Sequence, residues 1–133
     1  MIVVDTDVLV WWANRSTDKI SKTAKTHLQK AEKVDGGLIA SAISAWEIAV
    51  LVSKGRLILS MDVEDWLDNV AALPGLSFLP VDRYTLVQST RLPEPFHQDP
   101  ADRIIVATAR GLNMPLVTAD RLISAYSHVK TVW

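Results

Sequence analysis

The chain has 133 residues, 49% hydrophobic and 22% charged, with a formal net charge of −1 and no cysteine. That length, without a Pro/Gly/Ser-rich linker, suits one core rather than two, so a single domain over residues 1–133 is expected. Disulfides, thiolate metal sites and cysteine nucleophiles are excluded. The charge gives no global attraction to polyanions, and no apolar run approaches the roughly 20 residues that a bilayer requires.

The first residues, Ile2-Val-Val-Asp-Thr-Asp7, lack the basic and long apolar regions of a targeting peptide, so a cytoplasmic, non-exported protein is expected. They read as a strand at 2–4 and a helix at 7–13. A helix at 21–33, a strand at 38–40 and helices at 44–54 and 63–72 follow. Next come a strand at 76–79, a helix at 83–89 and the loop Leu92-Pro-Glu-Pro-Phe-His-Gln-Asp-Pro100. Closely spaced prolines forbid a helix there until Pro100 opens one at its first position, running to 110. A strand at 116–118, a short helix after Asp120 and a strand at 129–132 complete the pattern. Strands alternating with helices predict an α/β fold with a mostly parallel sheet of about five strands covered on both faces, which is why the strands are continuously apolar.

Four acids stand in apolar surroundings: Asp5 after the first strand, Glu47 in Ala-Trp-Glu-Ile-Ala, Asp102 before Arg-Ile-Ile-Val, and Asp120 after Leu-Val-Thr-Ala. An ionised carboxylate away from water costs several kcal/mol unless it is paired or bound to metal, and no matching set of buried cations is evident. A divalent ion is the expected partner. Oxygen-only ligands suit Mg2+ or Mn2+. In open α/β sheets ligands bind beyond the carboxyl ends of the strands, where these acids fall if their strands are neighbours. Each has a local alternative. Ser44-Ala-Trp-Glu47 fits a capping box in the first turn of its helix, Asp99 fits the cap of the helix at Pro100 with Asp102 three residues on, Asp120 fits the cap of the helix at Arg121, and Asp5 ends a strand.

The segment 19–34 is amphipathic, with Lys19, Lys22, Lys25, Lys30 and Lys33 opposite Ile20, Ala24, Leu28, Ala31 and Val34. A solvated face is its ordinary meaning; Lys22 and Lys25 are the candidate phosphate contacts. Trp46 and Trp66 are expected in the core. Adjacent Trp11 and Trp12 cannot face one direction on a helix, so one is available to an interface. No histidine is assigned to metal, although His97 lies near Asp99 in the proline loop.

Taken in order, Ile2-Val-Val-Asp-Thr-Asp-Val-Leu-Val-Trp-Trp12, Ser41-Ala-Ile-Ser-Ala-Trp-Glu-Ile-Ala-Val50 with Lys54-Gly-Arg-Leu57, Phe96-His-Gln-Asp-Pro-Ala-Asp-Arg-Ile-Ile-Val-Ala-Thr-Ala109 and Leu116-Val-Thr-Ala-Asp120 resemble the PIN-domain family, in particular the VapC-type ribonuclease toxins. The resemblance implies a three-layer α/β/α fold and metal-dependent endonucleolytic cleavage of RNA. It puts the metal-binding and catalytic acids on Asp5, Glu47, Asp102 and Asp120, with Asp99, Thr118 and Asp7 as auxiliaries. It also implies Mg2+ or Mn2+ as cofactor, a cognate antitoxin as partner, and a homodimer. Two positions depart from the pattern: Asp7, where asparagine or histidine is frequent, and Ala101, where an aromatic is frequent.

No Ser-His-Asp set or phosphate-cradling Gly-rich loop is evident, so water activated by the metal is the expected nucleophile. Two other readings stay open. Asp5-Thr-Asp7 after an apolar strand also imitates a haloacid-dehalogenase-like phosphatase, with Asp5 as nucleophile and Asp7 as acid. The third reading is a non-catalytic PIN-like binding module.

Overall fold

A computed structural model describes all residues, 1–133. Five strands, β1 (Ile2–Val4), β2 (Leu38–Ser41), β3 (Leu76–Leu79), β4 (Leu116–Val117) and β5 (Thr131–Val132), form one sheet in the order β3-β2-β1-β4-β5. Every pairing is parallel. Seven α-helices cover it: α1 (Thr6–Ala13), α2 (Lys22–Glu32), α3 (Ala42–Ser53), α4 (Val63–Ala71), α5 (Arg83–Thr90), α6 (Pro100–Leu112) and α7 (Arg121–Ala125). A 3-10 turn at Thr17–Lys19, not anticipated from the sequence, joins α1 to α2. No helix is long and apolar enough to cross a membrane.

The alternation of side chains along each strand divides the core into two layers. Ile2, Val4, Leu38, Ala40 and Val117 point to the face that buries Val8, Leu28, Trp66 and Val70 from α1, α2 and α4. Val3, Ile39 and Leu116 point to the other, with Ile105 and Val106 of α6, Ile123 of α7 and Tyr126. The result is the three-layer α/β/α arrangement expected from the sequence.

Strand order sets the position of the site. From β1 the chain steps outward to β2 and β3, then returns to place β4 on the opposite side of β1 and β5 beyond it. The order reverses between β1 and β4, and such a switch point opens a crevice at the carboxyl ends of the strands. Asp5 follows β1 and Thr118 follows β4, so both stand at that crevice.

Several local expectations are corrected. Helix α3 starts at Ala42, not at 44, because Ser41 at the end of β2 is its cap and accepts from the Ile43 amide at 3.2 Å. Glu47 therefore lies in the second turn, and the Ser44–Glu47 capping box does not form. Ser44, Glu47 and Ile48 share one face of α3 and Trp46 the opposite one, so Trp46 is 59% exposed rather than in the core, while Trp66 is buried. Val34 is also exposed, whereas Ile20, Ala24, Leu28 and Ala31 form the buried side of the lysine-bearing segment as expected. Trp11 and Trp12 are both half-buried, and Trp11 packs against Trp133 with ring centroids 6.1 Å apart.

Candidate active site

Asp5 caps α1 in extended backbone conformation and is 6% exposed. Its Oδ1 accepts from the Thr6 amide at 2.8 Å and its Oδ2 from the Thr118 hydroxyl at 2.6 Å. Thr118 is fully buried, and its Oγ1 in turn accepts from the Asp120 amide at 3.0 Å. One hydroxyl thus ties the acid after β1 to the acid after β4. Asp120 caps α7 through the Ile123 amide at 3.0 Å, and Asp99 caps α6 through the Asp102 amide at 2.9 Å. The local capping roles are real for Asp5, Asp99 and Asp120, and they orient each carboxylate without consuming all of its acceptor sites.

Glu47 is held by Thr6, a residue whose place in the sequence suggested no role. Thr6 Oγ1 donates to Glu47 Oε1 at 2.5 Å and stands 2.8 Å from Ser44 Oγ. Since a hydroxyl has one proton, Ser44 donates to Thr6 and Thr6 to Glu47. The only sequence signal for this relay was a hydroxyl residue directly after Asp5 and another three residues before Glu47, both in apolar segments.

Carboxylate oxygens of Glu47, Asp99 and Asp102 all come within 4.8 Å of one another. Asp99, an auxiliary by resemblance, is a member of this tightest group; Asp5 and Asp120 are not. They nonetheless act on it electrostatically. Burial above all, then Asp5, Asp99, Glu47 and Asp120, pushes the Asp102 carboxyl up to about 8. Burial also raises Glu47, against the lowering effect of its Thr6 bond and with Asp5, Asp99 and Asp7 adding to the rise. Asp5 is raised by burial in spite of its bonds to Thr118 and Thr6, and Asp7, in the first turn of α1 and exposed overall, is raised by partial desolvation of its carboxyl and then by Asp120. Six acids therefore form one electrostatic unit.

No lysine ammonium or arginine guanidinium nitrogen comes within 4 Å of a carboxylate oxygen of the six; the molecule's one Arg–carboxylate pair is Arg103–Glu94. The nearest potential cation is His97, whose enclosed Nε2 lies 3.2 Å from Asp102 Oδ2 but is too poorly aligned for a hydrogen bond. An anionic, oxygen-only cluster without a compensating side chain fits a hard divalent cation. Arg103 itself is buried and holds the proline loop, donating to the carbonyls of Ser89, Phe96 and His97 and to Glu94 Oε1. Its place in Asp102-Arg-Ile-Ile gave no hint of that task. Lys22 is exposed and Lys25 partly so, both outside the acidic unit.

Residues 2–129 match the PIN domain family. The chain is 31% identical to Ribonuclease VapC22 of Mycobacterium tuberculosis over 134 residues, which is 99% of this chain and 98% of that protein. Its fold is similar to VapBC2 from Rickettsia felis, solved with a DNA fragment from the promoter, at TM-score 0.71 and 18% identity, covering 98% and 97% of the two chains. FitAcB from Neisseria gonorrhoeae superimposes at TM-score 0.60 and 19% identity over 98% and 96%. A haloacid-dehalogenase-like assignment is set aside by these matches. Sequence, strand order and the acidic unit at the switch point agree, and the chain belongs to the PIN domain family.

Proposed function

We propose that the chain is a divalent-metal-dependent endoribonuclease, the toxin of a VapBC-type toxin–antitoxin pair, with Mg2+ or Mn2+ as cofactor. The observation that carries this reading is the gathering of Asp5, Glu47, Asp99, Asp102, Asp120 and Asp7 into one electrostatic unit that no lysine ammonium or arginine guanidinium pairs with. The name of the mycobacterial relative and the similar folds of VapBC2 and FitAcB support it. By that analogy the partners are a cognate antitoxin and a second copy of the chain, and the substrate is RNA.

Asp5, Glu47, Asp102 and Asp120, with Asp99 beside them, would hold the ion. When bound, a divalent ion lowers the pKa of water and neutralises charge on a phosphoryl group. The chain's own residues supply orientation. Thr118 and the Thr6 amide fix both Asp5 oxygens. Thr6 engages Glu47 Oε1 and leaves Oε2 to accept a proton from the attacking water or to ligate. Asp99 and Asp120 each spend one oxygen on a helix amide and keep the other.

The test is incubation of purified, antitoxin-free protein with total RNA and Mg2+ or Mn2+, beside Asp5→Asn, with new 5′ ends mapped. Discrete ends that need both the metal and Asp5 are expected. Ends that persist in EDTA or in Asp5→Asn would refute the reading, and wild-type protein that binds RNA without cutting it would favour the binding-module alternative.

A further inference from the structure

Beside the acids lies a cleft of about 420 Å³, lined by Glu94, Phe96, His97, Leu122, Tyr126 and His128 among others, to which hydrolysis by the acidic unit gives no task. Its volume is within the range of small-ligand clefts. Four rings follow one another along it: His97 meets Phe96 edge-on with centroids 4.5 Å apart, Phe96 stacks on Tyr126 at 4.2 Å and 28°, and Tyr126 leans on His128 at 5.3 Å. Phe96 and Tyr126 are almost wholly buried and give a floor, whereas Leu122 and His128 are exposed. The cradle is pinned in advance. Tyr126 donates its hydroxyl to the Pro93 carbonyl at 2.6 Å, and Arg103 grips the Phe96 and His97 carbonyls from within the core.

Both rims reach the acidic unit. His97 Nε2 is 3.2 Å from Asp102 Oδ2, and Leu122 lies in α7, the helix capped by Asp120. The lining contains no lysine or arginine. Its one carboxylate, Glu94, is engaged by Arg103 and by the Phe96 amide. A phosphate would find no cation here. A flat, uncharged ring with hydrogen-bonding edges finds an apolar floor, the exposed His128 imidazole to stack on and hydrogen-bond to, and Leu122 against its edge, and stacking with edge hydrogen bonds is how unpaired bases are recognised.

We propose that this cleft is a subsite for one unpaired nucleobase of the substrate RNA, the base flanking the cleaved phosphodiester, with His128 and Leu122 as specificity-determining residues. The proposal rests on the ribonuclease reading. It assigns base preference to the α6-preceding loop and the segment after α7, and leaves phosphodiester hydrolysis to the acids.

The experiment maps 5′ ends in total RNA cut by wild type, His128→Ala, Leu122→Ala and His128→Tyr with Mn2+, and measures kcat/KM on a short RNA carrying the preferred site. Both alanine variants are expected to keep metal-dependent cutting and to relax the preference at one flanking nucleotide, and His128→Ala to lose about fivefold or more in kcat/KM, the low end of base–aromatic stacking. His128→Tyr, which keeps a ring but not the imidazole nitrogens, restores most of the rate and leaves the preference relaxed. In a nuclease-inactive Asp5→Asn background, the alanine variants should also weaken quenching of a 2-aminopurine placed at that nucleotide. Wild-type cutting with flanking preferences and rates unchanged in both alanine variants overturns the base subsite while the ribonuclease reading stands. Wild-type protein that cuts no RNA overturns both.

Discussion

Thr118 donates a 2.6 Å hydrogen bond from its hydroxyl to Asp5 Oδ2, joining residues 113 positions apart across the β1–β4 boundary. The same oxygen accepts the Asp120 amide, so the hydroxyl's direction is fixed by having one donor and one acceptor task. Thr118→Val keeps the shape and removes both. Since partners that orient a metal ligand are commonly worth about 10- to 100-fold in affinity, Mn2+ binding should weaken by that order, with Thr118→Ser restoring most of it. Calorimetric titration of Mn2+ decides this; an unchanged Kd in Thr118→Val would remove the orienting role.

Proton linkage gives the metal-free protein an unusual pH profile. Carboxyls in an unfolded chain titrate near about 4, whereas burial raises Asp5 and Glu47, partial desolvation with the Asp120 charge raises Asp7, and burial with the neighbouring acids carries Asp102 to about 8. Between those limits the folded state holds more protons than the unfolded one. Stability that is fully present below the unfolded value is therefore lost as pH rises through the folded values. In EDTA, Tm should fall between about pH 5 and about pH 8.5, and saturating Mn2+ should raise it more at the upper end, because the ion takes the place of protons. A metal-free Tm that climbs across this window would contradict the assigned electrostatics.

The relay Ser44–Thr6–Glu47 makes Thr6 a structural hinge of the site. Thr6→Val leaves Glu47 and Ser44 without a partner in a poorly solvated place, which costs about 1–3 kcal/mol. Urea denaturation should show a loss of that order and RNA cleavage should drop, with recovery of both in Thr6→Ser. Equal denaturation midpoints in wild type and Thr6→Val would count against the relay.

Arg103 holds the loop that delivers Asp99. Its guanidinium reaches three main-chain carbonyls at 2.9, 3.2 and 3.3 Å, a fork that a lysine ammonium cannot reproduce. Arg103→Lys is expected to destabilise the fold by about 1–3 kcal/mol and to lower cleavage, since it leaves buried carbonyls without their donors. A fully stable and active Arg103→Lys protein would show that the loop is fixed by other contacts.

The lysine face of α2 is a separate matter. If Lys22 and Lys25 bind phosphates, their replacement by glutamate weakens RNA binding and flattens its dependence on salt by about 0.7 in the log–log slope for each phosphate no longer neutralised. Binding by fluorescence anisotropy across a salt series reads this directly. An unchanged slope leaves the face as solvated surface.

What the order of residues settles unaided is local. Short apolar runs mark β1, β2 and β4 as strands buried on both faces, whereas β3, at the sheet edge, is only partly buried; Pro100 opens α6 after Asp99, and the acids at 5, 99 and 120 fall where strands or loops give way to helices, so their capping follows from neighbours in sequence. β5 is two residues shorter than its pattern, and α3 begins two residues earlier, because sheet pairing and the Ser41 cap decide those ends. Which groups meet is settled by packing alone. Asp99 joins Glu47 and Asp102, Thr6 and Thr118 orient two of the acids, Arg103 turns inward to the loop, and Phe96, Tyr126 and His128 close a cleft against α7. Periodicity reports which side of its own helix or strand a residue occupies. A cap between residues 3 positions apart, such as Asp120 with Ile123, follows from the local chain, whereas the contact between Asp5 and Thr118, 113 positions apart, exists because the strand order places β4 directly against β1.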